Sequence, residues 1–275
     1  MAEQSNIKPK FTFRYLEGHE FDFLTNRNIK DLLQKWSMHQ QMKTALFNFD
    51  QQFQQYQKQD FFTAFFHSPE VITNLKVLSS SGSWVPLGIS PAKVSITQML
   101  CSLTSLEFFD KLFSEGIVHE NGKIVQCYDE YYENLILSDE LRKMLLMEDS
   151  DHYDLFSKEE RSEFLFRIFQ HLVIGGPICQ HEDDIQPYLD TAKSIYKDLL
   201  TVQKDKVTKK PFVTSFVYLL AAKDEKDNTL FPSAESQQQT FCYAVIDPVK
   251  RYVKTEVGMY RKGSSILRLE FAKVS

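Results

Sequence analysis

Glycine and proline are scarce, nine of each in 275 residues. A chain so poor in both reads as a packed body, and collagen-like or linker-rich architectures are excluded. The four cysteines, Cys101, Cys127, Cys179 and Cys242, stand far apart with no close pair. That leaves no disulfide framework, and they read as reduced, mostly buried thiols. The longest apolar stretch, Phe216–Ala222, is far too short to span a bilayer. Met1 to Asn6 is polar and lacks the basic and apolar regions of a signal peptide, so a cytoplasmic location is expected. The sequence contains no G-x-S-x-G, no P-loop, no G-x-G-x-x-G and no H-E-x-x-H. Net charge is −5, which does not favour general binding to nucleic acid or anionic membrane.

What the chain has in excess is phenylalanine, 23 residues, within a 43% hydrophobic composition that can bury a core without covalent staples. The clearest local signals lie between Ser138 and Asp205. Ser157-Lys158-Glu159-Glu160 has the form of a capping box, in which serine and glutamate satisfy amides left orphaned at a helix start. Phe164, Leu165, Ile168, Phe169, Leu172 and Val173 follow at helical spacing, and Gly175-Gly176-Pro177 stops the run. Ser138-Asp139 caps a helix carrying Leu141, Met144 and Leu145. A third helix spans Ile185 to Val202, with Tyr188, Leu189, Ala192, Ile195, Tyr196 and Leu199 facing inward.

Towards the N-terminus, Lys10–Leu16 alternates as a half-buried strand, and Asn26–Met38 has helical spacing. Phe49, Phe53 and Tyr56 fall at i, i+4 and i+7, so Phe47–Tyr56 reads as an amphipathic helix, with Phe61, Phe62, Phe65 and Phe66 in a second short one. Ser79–Ser83 is a turn, Trp84–Leu87 a strand and Leu103–Phe113 a helix. Asn121-Gly122 is a tight turn entering a strand at Lys123–Cys127. In the last quarter Val213–Leu220 and Thr240–Ile246 read as strands, and Asp247–Lys250 turns the latter into Arg251–Val257. The expected fold is α+β: a single compact domain over 10–257, with a helix-rich middle, strands near the N-terminus and a C-terminal β-hairpin. Residues 1–9 and 258–275 read as flexible tails, and the only linker-like stretch is Gln203–Lys210.

Candidate chemistry is sparse. Cys179-Gln180-His181-Glu182-Asp183-Asp184, with His171 one helix away, supplies metal donors, but zinc sites want a second pair and none is present. Glu148-Asp149-Ser150-Asp151 lacks the glycine and ligand alternation of a calcium loop. Lys204, Lys206, Lys209 and Lys210 have no stacking aromatic beside them except Phe212, unlike an RNA-binding face. Charge is unevenly placed: twelve acids against four bases from Asp129 to Glu163, and seven bases against two acids from Pro248 to Ser275. These two regions either neutralise one another or face partners.

Several phrases, in order, resemble the cilia- and flagella-associated protein 300 family. They are Gln34-Lys35-Trp36-Ser37-Met38, Phe49–Tyr56, Asn74–Leu78, Ile136–Arg142, Glu163–Phe166, Pro187–Asp190, Ile195–Leu199, Phe231–Ala234 and Val245–Pro248. The resemblance fades from about Lys254. It implies a non-enzymatic factor in the assembly or transport of outer and inner axonemal dynein arms, needed for ciliary motility and found in the cytoplasm and the axoneme. It further implies cytoplasmic dynein-assembly factors and dynein-arm subunits as partners, with intraflagellar transport machinery a further candidate. No cofactor and no catalytic residue come with it. The acidic residues Glu148, Asp149, Asp151 and Asp154 are the candidate partner-binding face. The alternatives are a structural axonemal subunit, or a metal-dependent enzyme using Cys179 and His181.

Overall fold

The computed structural model describes residues 11–79, 82–133, 135–232 and 239–258. The chain opens with β1 (Phe13–Tyr15), α1 (Asp22–Thr25), α2 (Arg27–Lys35) and β2 (Met42–Phe49), then α3 (Lys58–His67) and α4 (Pro69–Asn74). β3 (Lys76–Leu78), β4 (Trp84–Pro86), β5 (Lys93–Met99) and α5 (Lys111–Ser114) follow. The middle is β6 (Gln126–Tyr132), β7 (Leu135–Asp139), α6 (Glu140–Leu146), α7 (Phe164–Ile174) and α8 (Gln186–Leu199). The chain closes with β8 (Val202–Lys204), β9 (Pro211–Val213), β10 (Phe216–Lys223), β11 (Thr229–Phe231), β12 (Phe241–Asp247) and β13 (Tyr252–Gly258).

Among the described residues these strands form one seven-stranded antiparallel sheet and three two-stranded hairpins, β3–β4, β6–β7 and β8–β9. The main sheet runs β1-β2-β13-β12-β10-β11, with β5 on the other side of β10. The C-terminal hairpin is β12–β13, and Asp247 turns it by accepting the amides of Val249 (3.0 Å) and Lys250 (2.9 Å).

Antiparallel sheets commonly leave one face wet, and strands buried on both faces read as continuous apolar runs. β12 is such a strand, buried at every residue. Phe241, Tyr243 and Val245 join a core built by α2, α6, α7 and α8, while Cys242, Ala244 and Ile246 join a second core built by α3 and α4. The sheet is the wall between the two cores.

The capping box exists as expected: Ser157 N donates to Glu160 Oε2 at 2.8 Å, and Glu160 N donates to Ser157 Oγ at 3.2 Å. It opens only a 3-10 turn over Glu160–Ser162, and α7 begins separately at Phe164. The Glu163 carboxylate between them is drawn away to Ser102, accepting its hydroxyl at 2.5 Å and its amide at 3.1 Å. Asp139 caps α6 by accepting the Arg142 amide at 2.7 Å. Gly175 ends α7 with φ 68°, the left-handed region where glycine carries no steric penalty.

Three expectations fail locally. Phe47–Tyr56 is not a helix: Met42–Phe49 is strand β2, because Ala45, Phe47 and Phe49 alternate onto the second core, and Tyr56 is 83% exposed. Leu103–Phe113 yields only a 3-10 turn over Glu107–Phe109 and the short α5, because Glu163 holds the preceding chain extended through Ser102. Gly258, expected in a flexible tail, is the last residue of β13, paired with Phe241 and Met42. The remainder of both expected tails, 1–9 and 259–275, lies outside the described residues, as do Ser80 and Ser81 of the expected turn, and Ser233 and Ala234. The linker-like Gln203–Lys210 is the tip of the β8–β9 hairpin, where Asp205 accepts the amides of Val207 and Thr208.

Candidate partner-binding surface

The loop from Met147 to Phe156 joins α6 to the turn before α7, and one half-buried cation, Arg161, holds it. Arg161 donates from Nη2 to the carbonyls of Met144 (2.8 Å) and Tyr153 (2.5 Å), from Nη1 to Leu145 O (3.4 Å) and from Nε to Phe156 O (3.2 Å). Its guanidinium also lies 3.8 Å from the Tyr153 ring and 5.4 Å from that of Phe166. A planar fork with five donors suits this task in a way a lysine does not. Burial pulls the Arg161 pKa below its ordinary value, and the negative charges of Asp154 and Glu148 nearby counteract the shift. Lys111 adds a second strut, donating to Glu160 Oε1 at 2.6 Å and Leu155 O at 3.2 Å.

Glu148, Asp149, Asp151 and Asp154 all lie on this loop, and all four are exposed. Among the described residues none of the four has an ion-pair partner. Four carboxylates on a backbone pinned from beneath make a fixed negative face. Such a face steers a basic partner and sets its register more than it adds affinity.

Cys179 and His181 do come together, with Sγ 3.3 Å from Nδ1. Among the described residues no three His, Cys, Asp or Glu side chains are grouped so as to hold a metal ion. Burial pushes the Cys179 thiol up to about 12, so the thiolate that binds metals or attacks carbon is scarce at neutral pH. Burial, then the Arg142 charge, lowers the pKa of His181. Glu182 in the same stretch is bound to Lys35 (2.7 Å) and Trp36 Nε1 (3.0 Å), fastening the loop to α2. His171 faces the sheet, away from that pair, with Nε2 2.9 Å from Tyr243 OH and Nδ1 3.1 Å from Gln239 Oε1.

Sequence reasoning missed the polar groups inside the first core. Glu256 on β13 is 2% exposed, and its Oε2 has no hydrogen-bond partner among the described residues. It lines a small void of about 10 Å³ with His171, Tyr243, Met42 and Phe241. In sequence, Glu256 lies in the expected strand Arg251–Val257 with nothing to mark it as interior, and only the packing of α7 and α8 against that face of β13 encloses it. On the outside, Lys197, Lys250 and Lys254 flank an open polar cleft of about 530 Å³ beside Asp22 and Asp198. Opposite charges are interleaved there, so the cleft has no single sign.

No helix among the described residues is long and apolar enough to cross a membrane. Residues 10–257 match the family described as cilia- and flagella-associated protein 300. The chain is 37% identical over 235 residues to the cilia- and flagella-associated protein 300 of Chlamydomonas reinhardtii, covering 84% of this chain and 91% of that protein. It is 32% identical over 234 residues to the protein of the same name in Paramecium tetraurelia, covering 85% of this chain and 88% of that one. No solved structure matches the chain.

Proposed function

This chain belongs to the cilia- and flagella-associated protein 300 family, and from that premise we propose that it is a non-enzymatic adaptor for the assembly or transport of axonemal dynein arms. It works in the cytoplasm with dynein-assembly factors and arm subunits and accompanies its cargo to the cilium or flagellum. The observation that carries the adaptor reading is the acidic loop: four exposed carboxylates, without ion-pair partners among the described residues, on a backbone that Arg161 fixes in place. A preformed charged surface limits the conformational entropy lost on association. Rim charges of this kind act mainly on the association rate and its salt dependence.

The experiment is mass spectrometry of what co-purifies with the tagged protein from the soluble cytoplasm of cells growing motile cilia, beside an Asp149→Lys/Asp151→Lys/Asp154→Lys variant. Dynein-arm chains and their assembly factors should be enriched with the wild type and depleted with the variant, at an almost unchanged melting temperature. Equal recovery with both proteins removes the acidic loop from the reading. A protein found only in the salt-resistant axoneme is a structural subunit, and the adaptor reading then fails.

A further inference from the structure

The β6–β7 hairpin packs against α6 by one face and carries an apolar group on the other. Leu137 is fully buried on the inner face, where Glu130 also reaches Lys143 at 2.6 Å. Tyr131 and Ile136 lie directly across from each other on the outer face, 79% and 53% exposed. The register shifts between Gln126 and Glu130, and within that bulge Tyr128 stands 95% exposed. A bulge can re-aim a side chain, and the near-complete exposure of Tyr128 shows that it is not packed under the hairpin. Asp129 and Glu133, both exposed, flank the group and have no ion-pair partner among the described residues. Exposed aromatic and aliphatic side chains clustered with charge of one sign mark a surface built to be covered.

Residues 259–275, which lie outside both the described residues and the family match, have the complementary chemistry. They hold four bases, Arg261, Lys262, Arg268 and Lys273, against one acid, Glu270. Leu267, Leu269 and Phe271 alternate with Arg268 and Glu270, the period of an extended segment with one apolar face.

The reach is sufficient. Gly258 abuts Phe241, whose ring centroid lies 4.1 Å from that of His171 on α7. α7 packs on α6, and α6 on the hairpin. From the sheet through α7 and α6 to the hairpin there are three packed-layer spacings of about 8–10 Å, about 24–30 Å in all. The nine residues from Met259 to Leu267, fully extended, span about 30–32 Å.

We propose that the chain's own Leu267–Phe271 docks on the outer face of the β6–β7 hairpin. Leu267, Leu269 and Phe271 cover Tyr128, Tyr131 and Ile136, while Arg261, Lys262 and Lys273 meet Asp129 and Glu133. This inference stands apart from the dynein-arm reading, because it concerns two parts of one chain.

The test uses the full chain in three forms: wild type, Tyr128→Ser/Tyr131→Ser/Ile136→Ser, and Arg261→Glu/Lys262→Glu/Lys273→Glu. The last leaves every residue of the described fold intact, so misfolding of the hairpin variant cannot decide the matter. Amide exchange of residues 266–272 should be at least about tenfold slower in the wild type than in either variant. Carbodiimide coupling should join Lys262 or Lys273 to Asp129 or Glu133 within one chain. Equal, unprotected exchange in all three forms overturns the proposal. So does coupling to Glu148–Asp154 instead, or coupling only between differently isotope-labelled copies, which would make the occupant a second molecule.

Discussion

His171 on α7 and Tyr243 on β12 share a hydrogen bond of 2.9 Å between Nε2 and the phenol oxygen, inside the core between the sheet and the helices. With Nδ1–H donating to Gln239 Oε1, the imidazole accepts at Nε2 and is neutral. Burial, then the Arg167 charge, depresses its pKa to about 3. Glu256 lines the same void, and burial, then Asp198, raises its pKa to about 8.

The two groups tilt stability in opposite directions. Below about pH 6.5 the unfolded chain protonates its histidine while the native one does not, so His171 lowers stability as pH falls. Above about pH 4.3 the unfolded glutamate ionises while native Glu256 keeps its proton, so Glu256 lowers stability as pH rises towards 8. Between those two values the slopes cancel. From pH 6.5 to 8 only Glu256 acts, at the cost of about 2 kcal/mol. Glu256→Gln should flatten this limb of the urea-unfolding free energy. A variant that loses as much stability as the wild type between pH 6.5 and 8 would show that Glu256 is not the titrating group.

How much of this was legible in sequence depends on who the partners are. α7 and α8 were legible because every face-setting contact repeats at helical spacing, and β12 because an unbroken apolar run admits few alternatives. Phe47–Tyr56 was not, because two periods fit it: Phe47 and Phe49 alternate as a strand while Phe49, Phe53 and Tyr56 imitate a helix. Pairing of β2 with β13, some two hundred residues away, decides between them. The acidic loop was legible as charge, whereas its support was not. Arg161 acts on backbone carbonyls, which have no signature in side-chain sequence.

Phe61 is the hub of the second core. Its ring meets those of Phe11 (4.9 Å), Phe13 (5.1 Å), Phe49 (5.1 Å), Phe53 (4.9 Å) and Phe62 (5.3 Å), all close to edge-to-face. Phe61→Ala removes packing and quadrupole contacts together, and should cost about 3–5 kcal/mol in equilibrium unfolding. Tyr56, nearby in sequence but exposed, should change stability by less than about 0.5 kcal/mol when replaced by serine. A small loss at Phe61 would mean that the surrounding rings can close over the gap.

Gly175 tolerates no side chain. A Cβ there would lie 2.3 Å from Cys179 Sγ and 3.1 Å from Trp36 O, on a backbone with φ 68°. Gly175→Ala should therefore destabilise by about 2–4 kcal/mol. Adding Cys179→Ala removes the thiol clash and leaves the Cβ of residue 179 at 2.8 Å, the Trp36 carbonyl and the backbone strain. The double variant should recover about 1 kcal/mol relative to the sum of the single ones. Strict additivity would show that the loop over Gly175 simply moves aside.

Arg161 provides the sharpest separation of shape from charge at the acidic loop. Arg161→Ala leaves the carbonyls of Met144, Leu145, Tyr153 and Phe156 without their common donor, and should cost about 3–4 kcal/mol. Arg161→Lys keeps the charge, but a single ammonium cannot serve four divergent carbonyls, so an intermediate loss is expected. Amide exchange locates the damage. Ser150, Tyr153 and Leu155, whose amides donate to Met147, Ser150 and His152, should exchange faster in the lysine variant while α8 keeps its protection. Because all four carboxylates remain, recovery of the proposed dynein-arm partners with Arg161→Lys isolates the contribution of the fixed backbone. Reduced recovery at unchanged net charge means that the partner reads the loop's shape as well as its charge. Undiminished recovery from a loosened loop means that charge alone recruits it, and Arg161 then serves the fold only.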